Sequence, residues 1–205
     1  MHRTIGSVVL LVLSSFGCLW AQETPKAEVF AGYALARVDD TQGPTAANIV
    51  QNGWNAAINF NLTRNIGIAA DFGGYYGTHD GPPFTQFTCL GCPKTFPGPP
   101  VSTHLHTYLF GPQIAARMNR GTPFAHALFG GAQVNQSISA SAAGFPAFTI
   151  SSSGFAFALG GGGDINFSKQ FAWRVQADYL RTAYFDTSQN DFRFATGVVF
   201  RLGSR

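Results

Sequence analysis

Charge is the first thing this sequence has little of. Only 11% of its 205 residues are Asp, Glu, Lys or Arg, and the formal balance is +3. With no run of one sign and no basic stripe, nucleic acid is not a partner. Long apolar runs are missing beyond the N-terminal stretch. A bundle of membrane-crossing helices, each needing about 20 apolar residues, is therefore excluded. Cysteine is scarce at 3 residues, and no second ligand pair accompanies Cys89 and Cys92 to complete a zinc site. No long segment keeps a helical period. "GGGGD" at Gly160 to Asp164 has neither a following helix nor a Lys-Ser/Thr end, so it is not a phosphate loop; it reads as small residues in a tightly curved strand.

What is abundant is glycine, at 24 residues, and phenylalanine, at 20. The chain starts "MHRTIGSVVLLVLSSFGCLWAQ", with a basic tip at Arg3, an apolar core from Val8 to Leu13 and a small residue at Ala21. This is the layout of a secretory signal peptide over residues 1–21, leaving 22–205 as the mature domain. Cys18 as a lipid-attachment site is the alternative, in the weak context Ser15-Phe16-Gly17. Export places Cys89 and Cys92 in an oxidising compartment, where a disulfide between them is favoured over half a zinc site.

Period-two alternation recurs along the mature chain and predicts strands. In "NGWNAAINFNLT", Trp54, Ala56, Ile58, Phe60 and Leu62 share one face and Asn55, Ala57, Asn59 and Asn61 the other. "IGIAADFGGYYG" sets Ile66, Ile68, Ala70, Phe72 and Tyr76 against Asp71. "SGFAFALGGGGDINFS" sets Phe155, Phe157, Leu159, Ile165 and Phe167 against Ala156, Ala158, Asp164 and Asn166. "FAWRVQADYLRT" opposes Phe171, Trp173, Val175, Ala177 and Tyr179 to Arg174, Gln176 and Asp178. The last stretch, "FRFATGVVFRLGSR", opposes Phe192, Phe194, Val198, Phe200 and Leu202 to Arg193, Ala195, Gly197 and Arg201. A strand over about 26–37 places Glu28 opposite Val29, Ala31, Tyr33 and Leu35. Two more, near 101–117 and 123–137, have mixed faces whose sidedness stays open. Eight strands result.

Their connections alternate. "TRN", "MNRGT" and "SKQ" are short; the links holding "VDDTQGPTAANIV", "THDGPPFTQFTCLGCPKTFPGPP" and "ISASAAGFPAFTIS" are long, as is the smaller "AYFDTSQN". Tight turns then share one rim and long loops the other, as in outer-membrane barrels with periplasmic turns and longer external loops. Asp39, Gly91 and Gly144 are expected outside, and Arg64, Arg120 and Lys169 in the periplasm. Trp54, Tyr76 and Tyr179 fall towards one rim and Phe60, Phe167, Phe171, Trp173 and Phe200 towards the other, resembling two interfacial girdles. A soluble barrel with its greasy rows inside explains the alternation equally well, but not the leader, the low charge and the girdles together.

The mature chain resembles the outer membrane β-barrel domain family, the eight-stranded OmpA/OmpX-like barrels. "GVVFRL", with Gly197, Phe200 and Leu202, is similar to the C-terminal signature read by the barrel assembly machinery, although the family usually ends on an aromatic where Leu202 stands. The resemblance implies an all-β, up-and-down antiparallel transmembrane barrel embedded in outer-membrane lipid as a monomer. No peptidoglycan-binding domain follows, so the anchoring role of longer members is not carried over.

The inward rows then hold Glu28, Asp71, Asp164, Arg174, Asp178, Arg193 and Arg201. Paired with one another they plug the lumen; unpaired they line a narrow conducting path. The turn "SKQ" puts Asp164 opposite Arg174, and Glu28 should meet Arg201 near the closing seam. His104 and His106, two apart near the rim where His79 lies, have the spacing of a metal or lipid-acyl site, but no Ser/His/acid trio accompanies them. The expectation is a non-enzymatic barrel without cofactor or metal, closed or nearly so, with external loops for structure or surface interaction. A narrow channel and a lipid-modifying enzyme are the alternatives.

Overall fold

The computed structural model describes residues 24–40, 47–81, 84–89, 92–96, 98–139, 146–184 and 187–204. The leader, Gly91 and Gly144 lie outside the described residues. Ten strands form: β1 (Pro25–Asp40), β2 (Ala47–Asn61), β3 (Ile66–Asp80), β4 (Phe84–Cys89), β5 (Cys92–Phe96), β6 (Pro100–Ala115), β7 (Gly121–Ile138), β8 (Phe148–Asn166), β9 (Phe171–Tyr184) and β10 (Thr187–Ser204). Eight close into an antiparallel barrel in the order β1-β10-β9-β8-β7-β6-β3-β2, while β4 and β5 form a separate hairpin in the connection between β3 and β6.

Two of the tight turns are specified by one hydroxyl each. Thr63 Oγ1 accepts from Asn65 N and Ile66 N at 3.3 and 3.0 Å, and Ser168 Oγ accepts from Gln170 N and Phe171 N at 3.2 and 3.0 Å. In both, a Ser/Thr oxygen takes up backbone donors that the ladder cannot satisfy at the corner.

The register fixes the barrel's shape. Stepping across paired residues from Tyr33 through Trp54, Gly74, His106 and Gln133 arrives at Ser153 of β8. Stepping the other way, through Thr196 and Val175, arrives at Gly163, ten residues further along the same strand. A stagger of that size on eight strands tilts them by roughly 40° and gives a backbone radius of about 8 Å, with about 2.5 Å of axial rise per residue.

The strands are longer than the alternation suggested, and this corrects the reading of the connections. The link "AYFDTSQN" is not a loop: Tyr184 pairs with Thr187, leaving two residues between β9 and β10. Ladder pairing likewise extends β7 and β8 to Ile138 and Phe148. Pairing of β8 with β9 begins only at Ala156. Among the described residues, 148–155 therefore form the edge of a sheet, made of β6, β7 and β8, that stands above the rest of the wall.

Residues alternate as the period-two pattern requires. Ile58, Phe60, Ile68, Phe155, Leu159, Trp173, Phe194 and Val198 are all exposed outward, whereas Asn55, Asn59, Asp71, Arg174, Gln176, Asp178 and Arg193 are buried inside. An outer wall this apolar is unsuited to water. The mixed strands β6 and β7 resolve for a physical reason: their inner rows are apolar too. Leu105, Leu109, Leu128 and Val134 point into the lumen behind the outward Tyr108, Phe110 and Phe129. The interior thus has one oily wall facing one ionic wall.

Candidate functional site

The chemistry of this molecule lies inside the barrel, in two ionic layers. The upper one is centred on Arg193 of β10, which is fully buried. Its Nη1 donates to Asp71 Oδ1 at 2.6 Å and to the Tyr75 hydroxyl at 3.3 Å. Its Nε donates to Asp178 Oδ2 at 2.8 Å. Nη2 lies 2.7 Å from the same Asp178 oxygen, a charge contact rather than a further hydrogen bond. On the other side of Asp178, His126 Nε2 donates to Oδ1 at 2.7 Å. Gln176 Nε2 donates to Asn55 Oδ1 at 3.0 Å, and Asn55 Nδ2 to Asp71 Oδ2 at 3.0 Å.

Two of these links cross the lumen. β10 and β3 stand three strands apart around the wall, as do β9 and β2. Arg193–Asp71 and Gln176–Asn55 therefore bridge nearly opposite sides of a tube whose interior is only wide enough for side chains.

Opposite Asp178 sits Gly160. A Cβ there would lie 2.1 Å from Asp178 Oδ1, so the glycine makes the space that the carboxylate occupies. This is the structural use of one glycine in the "GGGGD" run.

The lower layer, near the tight turns, gathers Glu28, Asp164, Arg117, Arg174 and Arg201. Arg174 grips Asp164 with two donors, Nε to Oδ1 at 2.7 Å and Nη2 to Oδ2 at 3.0 Å. Its guanidinium also lies over the rings of Phe124 and Phe30, 4.3 and 5.4 Å from their centroids; Arg stacks on aromatic faces because the ring quadrupole attracts its charge. Glu28 takes Arg117 at 2.7 Å and Arg201 at 3.3 Å, and Arg201 reaches Asp164 at 3.5 Å. All seven interior charges singled out from sequence are buried and brought into these two layers.

Four partners were not legible as such: His126, Tyr75, Arg117 and Phe30. His126 and Tyr75 sit beside outward apolar residues that blur the alternation, and Arg117 lies two residues beyond the end of β6. Strict counting in β3 from Asp71 would have placed Tyr75 inside.

The other candidates fall elsewhere. His104 and His106 point outward and flank Tyr76, with ring centroids at 5.2 and 5.8 Å, while His79 sits on the opposite row of β3 and does not join them. Among the described residues, no three His, Cys, Asp or Glu side chains gather as metal ligands would. Cys89 and Cys92 are register partners at the tip of the β4–β5 hairpin; their side chains lie outside the described residues. Gly197 packs against β1, where a Cβ would meet Ala31 O at 2.3 Å. Phe200 packs at a tilt against Phe171, with ring centroids 5.1 Å apart, and Leu202 is exposed.

Solved structures share this architecture. Ail of Yersinia pestis, in complex with the heparin analogue sucrose octasulfate, is 17% identical with a TM-score of 0.55, covering 86% of this chain and 99% of that one. Neisserial surface protein A is 10% identical with a TM-score of 0.62, covering 89% and 100%. OprG from Pseudomonas aeruginosa is 10% identical with a TM-score of 0.52, covering 89% and 98%. At these identities the likeness shows the fold. No curated protein matches the chain in sequence. Residues 7–204 match the outer membrane protein beta-barrel domain; the apolar outer wall is thus a lipid-facing surface, and the chain belongs to that family of the bacterial outer membrane.

Proposed function

We propose that this barrel is a closed, non-enzymatic membrane scaffold whose working surface is the sheet above its wall. The observation that supports closure is the Arg193 layer, in which an ion pair and an amide–amide hydrogen bond cross the lumen at mid-height. Leu109 and Leu128 fill the facing wall. A tube sealed there does its work at its ends.

At the long-loop end stands the β6–β7–β8 sheet, whose outward rows carry Ser102, Gln133, Asn135, Ser137, Ser151 and Ser153. Its β8 edge over residues 148–155 holds neither charge nor proline, the usual devices that blunt an edge, so an extended peptide can add to it by main-chain pairing. Ail was solved with a heparin analogue. The rows named above hold no Lys or Arg, and sulfate recognition relies on such cations, so a peptide is the better-suited partner here. The outward cluster in which His104 and His106 meet Tyr76 edge-on belongs to the interfacial aromatic belt.

Conductance tests the closure. Purified protein in a planar bilayer should give little current, or small and rare openings, since an aqueous channel takes about 16–18 strands. Stable nanosiemens-scale steps would promote the narrow-channel alternative.

The Cys89–Cys92 disulfide, proposed from the exported setting, closes a very small loop. The chain-entropy argument therefore gives it little weight in global stability. Mass spectrometry of the unreduced protein should show the loss of two hydrogens, and two free thiols would refute the bridge.

A further inference from the structure

We propose that the short-turn end of the barrel is a binding surface for the headgroups of anionic phospholipids in the periplasmic leaflet. Each of the three turns at this end carries one exposed or half-exposed cation: Arg64 between β2 and β3, Arg120 between β6 and β7, and Lys169 between β8 and β9. Lys26 adds a fourth at the start of β1, its aliphatic stem lying against Gly203, whose φ of 66° disfavours any side chain there. Among the described residues this rim holds no exposed acid. The acids of that end, Glu28 and Asp164, are inside the lumen and already neutralised by Arg117, Arg174 and Arg201. Lys26, Arg120 and Lys169 form no ion pair among the described residues.

The depth of these cations selects lipid as the partner. Arg64 sits between the exposed Leu62 and Ile66, Lys169 between Phe167 and Phe171, and Arg120 two residues after Met118. Each charge is thus two residues from a side chain in hydrocarbon, about 5 Å of axial rise. That places it in the headgroup layer, where Lys and Arg snorkel and pair with phosphate. The positions are spread around the circumference rather than clustered, which suits an annulus of single-charge headgroups better than one polyvalent ligand. The leaflet follows from the family rule that short turns are periplasmic; the lipid preference itself does not depend on it.

The test uses the mature barrel in nanodiscs of equal parts phosphatidylethanolamine and phosphatidylglycerol, with retained lipids identified by native mass spectrometry. Phosphatidylglycerol should be retained in preference, by on the order of fivefold for each cation that holds a headgroup. The preference should collapse towards the disc composition in the variant Lys26→Gln/Arg64→Gln/Arg120→Gln/Lys169→Gln. The unaltered protein provides a second reading: the preference should fade in about 1 M salt, where charges are screened beyond about 3 Å. Retention matching the disc composition, or a preference indifferent to both salt and the four substitutions, overturns the proposal. So does displacement of the lipid by millimolar glycerol phosphate, which would mark a soluble-phosphate site instead.

Discussion

Replacing Arg193 with alanine should destabilise the barrel by about 3–5 kcal/mol, the cost of leaving a buried charge without its partner. Asp71 and Asp178 are both almost wholly buried, and Arg193 is the cation that bridges them, at 2.6 Å to one and 2.7–2.8 Å to the other. His126 serves Asp178 alone. Removing the guanidinium leaves Asp71 with Asn55 as its remaining side-chain donor, in a region whose far wall is leucine.

Controls separate the causes. Arg193→Lys keeps the charge but cannot hold two carboxylates with a planar fork, so it should fall between parent and alanine. Arg193→Met combined with Asp71→Asn and Asp178→Asn should recover part of the loss, because removing both sides of a buried pair costs less than removing one. The readout is reversible urea unfolding in lipid or detergent, supported by the temperature at which the folded band disappears on a gel. A change below about 1 kcal/mol, the range of exposed pairs, would mean the layer is wet and contributes little. In a planar bilayer the alanine variant should also open more often than the parent, since the main cross-lumen tie is gone.

How far the sequence disclosed all this differs strand by strand. β2, β3, β9 and β10 oppose apolar outward rows to polar inward ones, and period two was enough to place their side chains. In β6 and β7 the lumen is lined by Leu105, Leu109, Leu128 and Val134 while His104, Tyr108 and Phe129 look outward, so both rows read alike and alternation carries no sign. The connections were misjudged for a related reason. Above the lipid a strand needs no apolar face, so "FTISSS" at the start of β8 and "TSQN" at the start of β10 look like loops and are ladder. Among the ionic contacts, Asp164–Arg174 follows from counting out of a tight turn, because the partners lie on adjacent strands. Arg193–Asp71 and Arg117–Glu28 span three strands around the wall, and such contacts depend on the stagger of the closed barrel, which no local pattern encodes.

The largest effect expected on the outside of the barrel is that of Phe110→Arg. Phe110 is 51% exposed and lies on the outward row of β6. It stands four residues from Ile114 on the turn side and six from His104 on the other. At about 2.5 Å of rise per residue those are roughly 10 and 15 Å, close to the middle of an apolar band about 25 Å tall. An arginine at that depth should cost about 2–4 kcal/mol, whereas the same residue near an interface costs about 0–1. Phe167→Arg, in the β8–β9 turn and 71% exposed, is the matched interfacial variant. Phe110 also meets the Phe72 ring edge-on at 5.9 Å, so Phe110→Leu is needed to subtract the packing loss. Unfolding free energies in lipid should rank Phe110→Arg well below Phe110→Leu, with Phe167→Arg near the parent. In water an exposed arginine is nearly neutral at any height, so equal and small effects at positions 110 and 167 would show that this face does not meet hydrocarbon. Because the two faces of every strand are tied to one register, that single result would also exchange the environments assigned to all eight strands.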